Sequence, residues 1–135
     1  MAKIVVALLV LTLSTLGFAC KACGYSGNTH YPAYSKQLQE VINTASQRTK
    51  IKVSKNDVVV INKIIYRENR TGNLGLLYNG CFGLGQGKRQ TYKSCKVPWM
   101  TKCPVQQVVM ILRYVKGRYK TFSRAWAHHL KHHWY

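Results

Sequence analysis

Apolar residues return at helical spacing in several places along this chain. Leu38, Val41, Ile42 and Ala45 form one stripe, and Ser35 just ahead of it has a side chain suited to capping a helix start. Val58, Ile61 and Ile65 form a second stripe, with Ile64 beside it, Glu68 at its end and Asn56-Asp57 offering caps. The valine run would also suit a strand. The period from Asp57 to Glu68 is nearer 3.6 than 2, so a helix is expected. Val105, Val108, Val109, Leu112 and Val115 make a third stripe behind Pro104, which fits a first helical position, while Gly117 weakens its end. Thr121 or Ser123 can cap a last helix from Arg124 to about His132.

Polar and glycine-rich stretches separate these stripes. Residues 20–34 carry Gly, Ser, Asn, Tyr and Pro32 and are expected to form an extended arm. Lys50 to Asn56 is a polar break. Residues 69–90, punctuated by Gly72, Gly75, Gly80, Gly83, Gly85 and Gly87, should form a long loop. Cys95 to Cys103 should form a second, with Pro98 and Trp99. The expectation is a mainly α domain over residues 35–135, with about four helices, a long Gly-rich loop and little sheet.

The first 19 residues are set apart. Lys3 precedes an apolar run from Ile4 to Phe18, and Gly17-Phe18-Ala19 places small residues where a signal peptidase reads. This is the pattern of a secretory signal peptide, so the protein is expected to be secreted, to the cell exterior, the wall or the periplasm. The run is shorter than the ~20 residues of a membrane span. Retention of the N-terminal segment in a membrane, or lipid attachment at Cys20, is the alternative. For the latter the expected Leu lies one position too far away, at Leu16.

Export makes the cysteines candidate staples. They are Cys20, Cys23, Cys81, Cys95 and Cys103. Without Cys20, the remaining four allow two disulfides in any of about three pairings. Cys95 and Cys103 are the easiest pair locally. Cys20-Lys21-Ala22-Cys23 has C-x-x-C spacing but no strand before it, which argues against a thioredoxin-like role.

Charge narrows the partners. Lys plus Arg number 21 and Asp plus Glu 3, a formal net charge of +18, and 47% of residues are hydrophobic. That is too apolar for a disordered basic tail. A balance this basic implies an anionic partner: wall polymers, a lipid surface or stray nucleic acid. The three acids are Glu40, Asp57 and Glu68, too few for carboxylate clusters such as a two-metal site or an EF-hand.

Glu68 is the acid with chemical promise. It ends an apolar helix, where the helix dipole disfavours a carboxylate, and burial against Ile64 and Ile65 would do the same. Both effects raise its pKa, as a general acid near neutral pH requires. Arg67 and Arg70 would oppose this if close, but Arg67 points about 100° away along the helix. Asp57 lies roughly 16 Å from Glu68 along the axis, beyond the carboxylate separations of retaining or inverting glycosidases. A one-carboxylate mechanism fits better. A charged surface Glu among cations is the plain alternative.

Other constellations weigh less. His128/His132 and His129/His133 have i, i+4 spacing, yet there is no intervening Glu and no third ligand, so no metal is expected. Gly83-Leu84-Gly85-Gln86-Gly87 is not followed by the G-K-[ST] of a phosphate loop. Asn69-Arg70-Thr71 is a formal glycosylation sequon. No specific nucleic-acid module is recognisable.

Two sets of motifs resemble a family. Glu68, a loop containing Gly and Asn, and then Phe82-Gly83-Leu84-Gly85-Gln86 resemble the catalytic Glu and G-L-x-Q motif of lytic transglycosylases in the lysozyme-like superfamily. Arg113-Tyr114-Val115-Lys116-Gly117-Arg118-Tyr119, Ala125-Trp126-Ala127 and His132-His133-Trp134-Tyr135 are similar to a subgroup. That subgroup comprises the C-terminal domains of aggregation-promoting factors and related phage and bacterial wall-lytic domains. The resemblance covers about residues 57–135. Asn69 stands where the family usually has Ser, and Lys120, His129 and His133 also depart from its pattern.

The resemblance implies a lysozyme-like fold and cleavage of the β-1,4 bond between N-acetylmuramic acid and N-acetylglucosamine in peptidoglycan. Glu68 would act first as acid and then as base, giving 1,6-anhydromuramyl products without cofactor or metal. Hydrolysis by a water held by Asn69 or Gln86 is the nearby variant. Gly83, Leu84 and Gln86 would belong to the substrate site, with Tyr78, Tyr114, Trp126 and His129 as further candidates to line a sugar cleft. The partners would be peptidoglycan glycan strands and anionic wall polymers or a lipid surface, bound by a monomer. A non-catalytic cationic wall or membrane binder on the same fold is the alternative.

Overall fold

A computed structural model describes residues 23, 25 and 27–135. The apolar segment 1–19 and Cys20 lie outside the described residues. The described chain is mainly helical, with five helices and a small sheet. Helix α1 runs Lys36–Thr49, α2 Lys55–Glu68, α3 Arg89–Ser94, α4 Pro104–Tyr119 and α5 Phe122–His132. Strands β1 (Leu77–Tyr78), β2 (Cys81–Phe82) and β3 (Gly87–Lys88) form an antiparallel sheet in that order. No described helix is long and apolar enough to cross a membrane.

Local chemistry sets the helix starts. Ser35 Oγ accepts the Leu38 N–H at 3.1 Å at the head of α1. For α2 the cap is Ser54, not Asn56-Asp57. Ser54 Oγ accepts the Asp57 N–H and Asp57 Oδ2 accepts the Ser54 N–H, a reciprocal capping box. Asp57 therefore sits inside the first turn, and α2 starts two residues earlier than Asp57. Pro104 opens α4, and Gly117 does not shorten it, because the helix continues to Tyr119. Thr121 caps α5, which begins at Phe122 rather than Arg124.

Helix α4 is the centre of the core. Nine of its residues are buried, and it packs against α1, α3 and α5, while α2 packs against α5. Val105, Val108, Ile111, Leu112 and Val115 are fully enclosed, as are Leu38, Val41 and Ile42 from α1 and Ile61, Ile64 and Ile65 from α2. The pattern read from sequence is thus the core-facing pattern.

Three features differ from the sequence expectation. The 69–90 stretch is not a bare loop but holds the small sheet and the start of α3. Its strands have two residues each, too short for an alternating pattern, and α3 buries only Tyr92. The arm over residues 20–34, as far as it is described, joins the core instead of extending from it. Tyr31 is buried, its N–H donates to Gly72 O, and the Leu74 N–H donates to Thr29 O. The disulfide pairs Cys23 with Cys103, Cα atoms 6.0 Å apart, not Cys95 with Cys103. Cys81 and Cys95 are free among the described cysteines. Cys95 ends α3 as a buried core residue, so its nearness to Cys103 along the chain does not bring the two sulfurs together.

Candidate active site

Glu68 is the last residue of α2, and the chain turns sharply after it. The next residue, Asn69, is buried and ties that turn to the glycine-rich hairpin. Its side-chain N–H groups donate to Asn73 O at 2.8 Å and Gly83 O at 3.0 Å. Gln107, enclosed in the first turn of α4, grips the same hairpin. Its Oε1 accepts the Leu84 N–H at 2.8 Å, and its Nε2 donates to Leu74 O and Thr101 O, each at 2.8 Å. The buried Tyr92 hydroxyl donates to Phe82 O at 2.8 Å. Backbone polar groups that would be costly to bury unpaired are thereby satisfied.

The Gly-Leu-Gly segment has to be glycine to lie this close to α4. At Gly83, φ is +81° and an added Cβ would sit 2.6 Å from Gln107 Oε1. At Gly85 it would sit 2.6 Å from Ile111 Cγ1 and 2.9 Å from the Tyr135 hydroxyl.

A cleft of about 420 Å³ opens beside Glu68. Gly85, Gln86 and Gly87 from the hairpin form one part of its lining; Met110, Tyr114 and Arg118 from α4 form another; Trp134 and Tyr135 complete it, with Cys81, Lys88 and Thr91. Tyr135 spans the cleft wall. Its hydroxyl donates to Gly85 O at 2.6 Å, and its ring packs edge-on against Tyr114 at 5.9 Å. Arg118 lies over Trp134 at 4.9 Å and donates to the Tyr114 hydroxyl at 3.1 Å. The cleft thus combines one acid, one guanidinium and three aromatic rings.

The electrostatics of Glu68 are simple. Burial pushes its carboxyl up to about 7. Glu40 lies exposed on α1, and Asp57 is held in the capping box at the opposite end of α2. No second side-chain carboxylate lines the cleft. Burial, reinforced by the nearby Glu68 charge, holds the Tyr135 phenol well above its usual range, so it stays a donor.

The candidates read from sequence separate into three groups. Glu68, Gln86 and Tyr114 line the cleft together. Tyr78 is exposed on β1 and pairs in register with Cys81, which lines the cleft. Gly83 and Leu84 are buried inside the hairpin turn itself, and Asn69 is a buried support beneath it. Gln86 shares in that support, since its Nε2 donates to both Leu76 O and Gly83 O. Trp126 and His129 stack on each other on α5 at 5.3 Å, with Lys63 Nζ 5.3 Å from the indole, and neither lines the cleft. Burial lowers the His129 pKa, and its buried Nδ1 has no hydrogen-bond partner among the described residues. Among the described residues, no group of three or more His, Cys, Asp or Glu side chains gathers as a metal site would require.

Sequence reasoning assigned no role to Trp134, Tyr135, Arg118 or Gln107. The first three stand inside the motifs that carried the resemblance, which was the available signal. Gln107 carried no such signal, because Gln106 stands beside it and the sequence does not say which of the two amides turns inward.

Comparisons with protein-family models, curated proteins and solved structures return no match to this chain.

Proposed function

We propose that this protein is an exported, lysozyme-like enzyme that cleaves peptidoglycan glycan strands with Glu68 as its one catalytic carboxyl. The observation that carries this reading is a part-buried Glu68, its carboxyl pushed up to about 7 by that burial, in an aromatic-lined cleft that holds no second side-chain carboxylate. Such a group is protonated often enough to donate near neutral pH and basic enough to accept afterwards.

The mechanism needs little else. Protonated Glu68 gives its proton to the glycosidic oxygen between the muramic acid and glucosamine units, and the C1–O bond breaks as positive charge grows on the muramic ring. Glu68, now a carboxylate, takes the proton from the muramic acid C6 hydroxyl. That oxygen bonds to C1 and closes a 1,6-anhydro ring, leaving Glu68 protonated again. Tyr114, Trp134 and Tyr135 offer ring faces to sugar C–H groups. Arg118 adds positive charge where stem peptides or phosphates would approach. The net charge of +18 concentrates the enzyme on an anionic wall.

Lysis of purified cell walls tests this reading. The mature protein should clear a wall suspension, and Glu68→Gln should lose at least about 100-fold in rate, the scale of a general acid's contribution, while still sedimenting with walls. Sedimentation of both proteins with no clearing by either would leave the non-catalytic wall binder.

A further inference from the structure

A second groove, of about 640 Å³, lies across α3 from the cleft. It is lined by Arg89, Gln90, Lys93, Val97 and Trp99. The short helix is a shared wall: its Thr91, with Lys88 just ahead of it, lines the cleft, and its Arg89, Gln90 and Lys93 line the groove. We propose that this groove binds a phosphate-bearing sugar unit of an anionic wall polymer, next to the strand that the cleft cuts.

Arg89 and Lys93 stand four residues apart on one face, a like-charge arrangement that disfavours the helix unless an anion sits between them. Neither side chain has a hydrogen bond or ion pair to any described residue. No carboxylate lines the groove. The two cations are also of different kinds. A planar guanidinium fork and a point-like ammonium can converge on a tetrahedral phosphate, whose oxygens face several directions. A planar carboxylate is already satisfied by the guanidinium alone.

Trp99 gives the groove its sugar surface. Its indole is only half-buried, yet it is fixed edge-on against Phe82 at 5.9 Å and Tyr92 at 5.4 Å. A rigid ring beside a cation pair suits a charged saccharide, because the C–H face of the sugar stacks while the phosphate reaches the cations. Phe82 and Tyr92 also anchor the hairpin that carries the cleft wall, so groove and cleft stand on the same aromatic support.

This assignment rests on the wall-directed reading, but its test does not depend on cleavage. All proteins carry Glu68→Gln, so no wall is consumed. Sedimentation measures binding to walls that retain their phosphodiester polymer and to the same walls after its removal by hydrofluoric acid. The variants are Arg89→Gln with Lys93→Gln and, as a control of equal charge, Lys36→Gln with Lys55→Gln on exposed positions of α1 and α2. The groove pair should weaken binding to polymer-bearing walls about tenfold, the scale of one lost charge-assisted contact. The control pair should change it less than about twofold, the scale of screened surface charge, and on stripped walls the two pairs should behave alike.

Equal losses by both pairs on polymer-bearing walls would overturn the proposal in favour of diffuse electrostatics. A groove-specific loss that persists on stripped walls would assign the groove to peptide carboxylates instead. A glycerol-phosphate oligomer should compete with the polymer-bearing walls for the protein with an intact groove more than for the groove pair, and vesicles of anionic phospholipid, held by net charge, should compete equally for both. Groove-dependent competition by the vesicles alone would make the groove a lipid-headgroup site. If wild-type protein fails to cleave any wall while the groove-specific loss is seen, the catalytic reading falls and the groove stands.

Discussion

Glu68 shows how much one position depends on its surroundings. An acid at a helix C-terminus among apolar residues was legible as a candidate from sequence, because both features disfavour its charge. In the structure burial is the cause of its rise to about 7. Two outcomes follow from the sign of that shift. The acid form is needed for the first proton transfer, so kcat/KM should fall through a single ionisation near pH 7 as pH rises, which initial rates between pH 5 and 9 will read. A carboxyl whose folded pKa is raised contributes stability below its unfolded pKa and loses it as pH climbs through the folded value. The Tm of Glu68→Gln minus that of wild type should therefore increase between pH 5 and pH 8. A constant difference would mean that the carboxyl is as well solvated folded as unfolded. Gln107 was not legible, since nothing in the sequence says which carbonyls an amide will meet. Gln107→Leu would leave the Leu84 N–H, Leu74 O and Thr101 O without this partner. It should cost about 3 kcal/mol in urea unfolding.

At the scale of elements, legibility follows the strength of the period. Helices α1, α2 and α4 could be placed because each lays several apolar residues on one stripe, and α5 from the capping hydroxyls ahead of it. Their starts moved by a few residues where a different hydroxyl won the cap, as Ser54 did at α2. Helix α3 and the strands could not be placed, because Arg-Gln-Thr-Tyr-Lys-Ser buries one residue and two-residue strands have no period. What makes the hairpin is tertiary: Asn69, Gln86, Gln107, Tyr92 and Tyr135 each bond a hairpin carbonyl or N–H. Gly83→Ala should displace this hairpin, because the new Cβ would meet Gln107 Oε1 at 2.6 Å and the backbone would keep a left-handed φ. The expected result is a rise in KM and a fall in kcat with Glu68 untouched. Wild-type kinetics in this variant would mean that the hairpin does not position the cleft wall.

At the scale of the molecule, the described arm and the helices form one body. The Cys23–Cys103 bond, 80 residues apart in sequence, holds the arm to the start of α4. Its partner choice was hidden because it depends on where the arm returns, which the Gly- and Ser-rich sequence does not state. Closing a loop of that length is worth about 4 kcal/mol in the chain-entropy account. Cys23→Ser should lower the guanidinium midpoint accordingly, and reducing agent should lower the wild type to the same value. The central claim is that the cleft beside Glu68 cuts glycan strands and closes an anhydro ring. Mass spectrometry of muropeptides released from purified peptidoglycan by wild type and by Glu68→Gln tests it most directly. The account predicts 1,6-anhydromuramyl products from the wild type and none from the variant; no released muropeptides from either protein, with both bound to the wall, would contradict it.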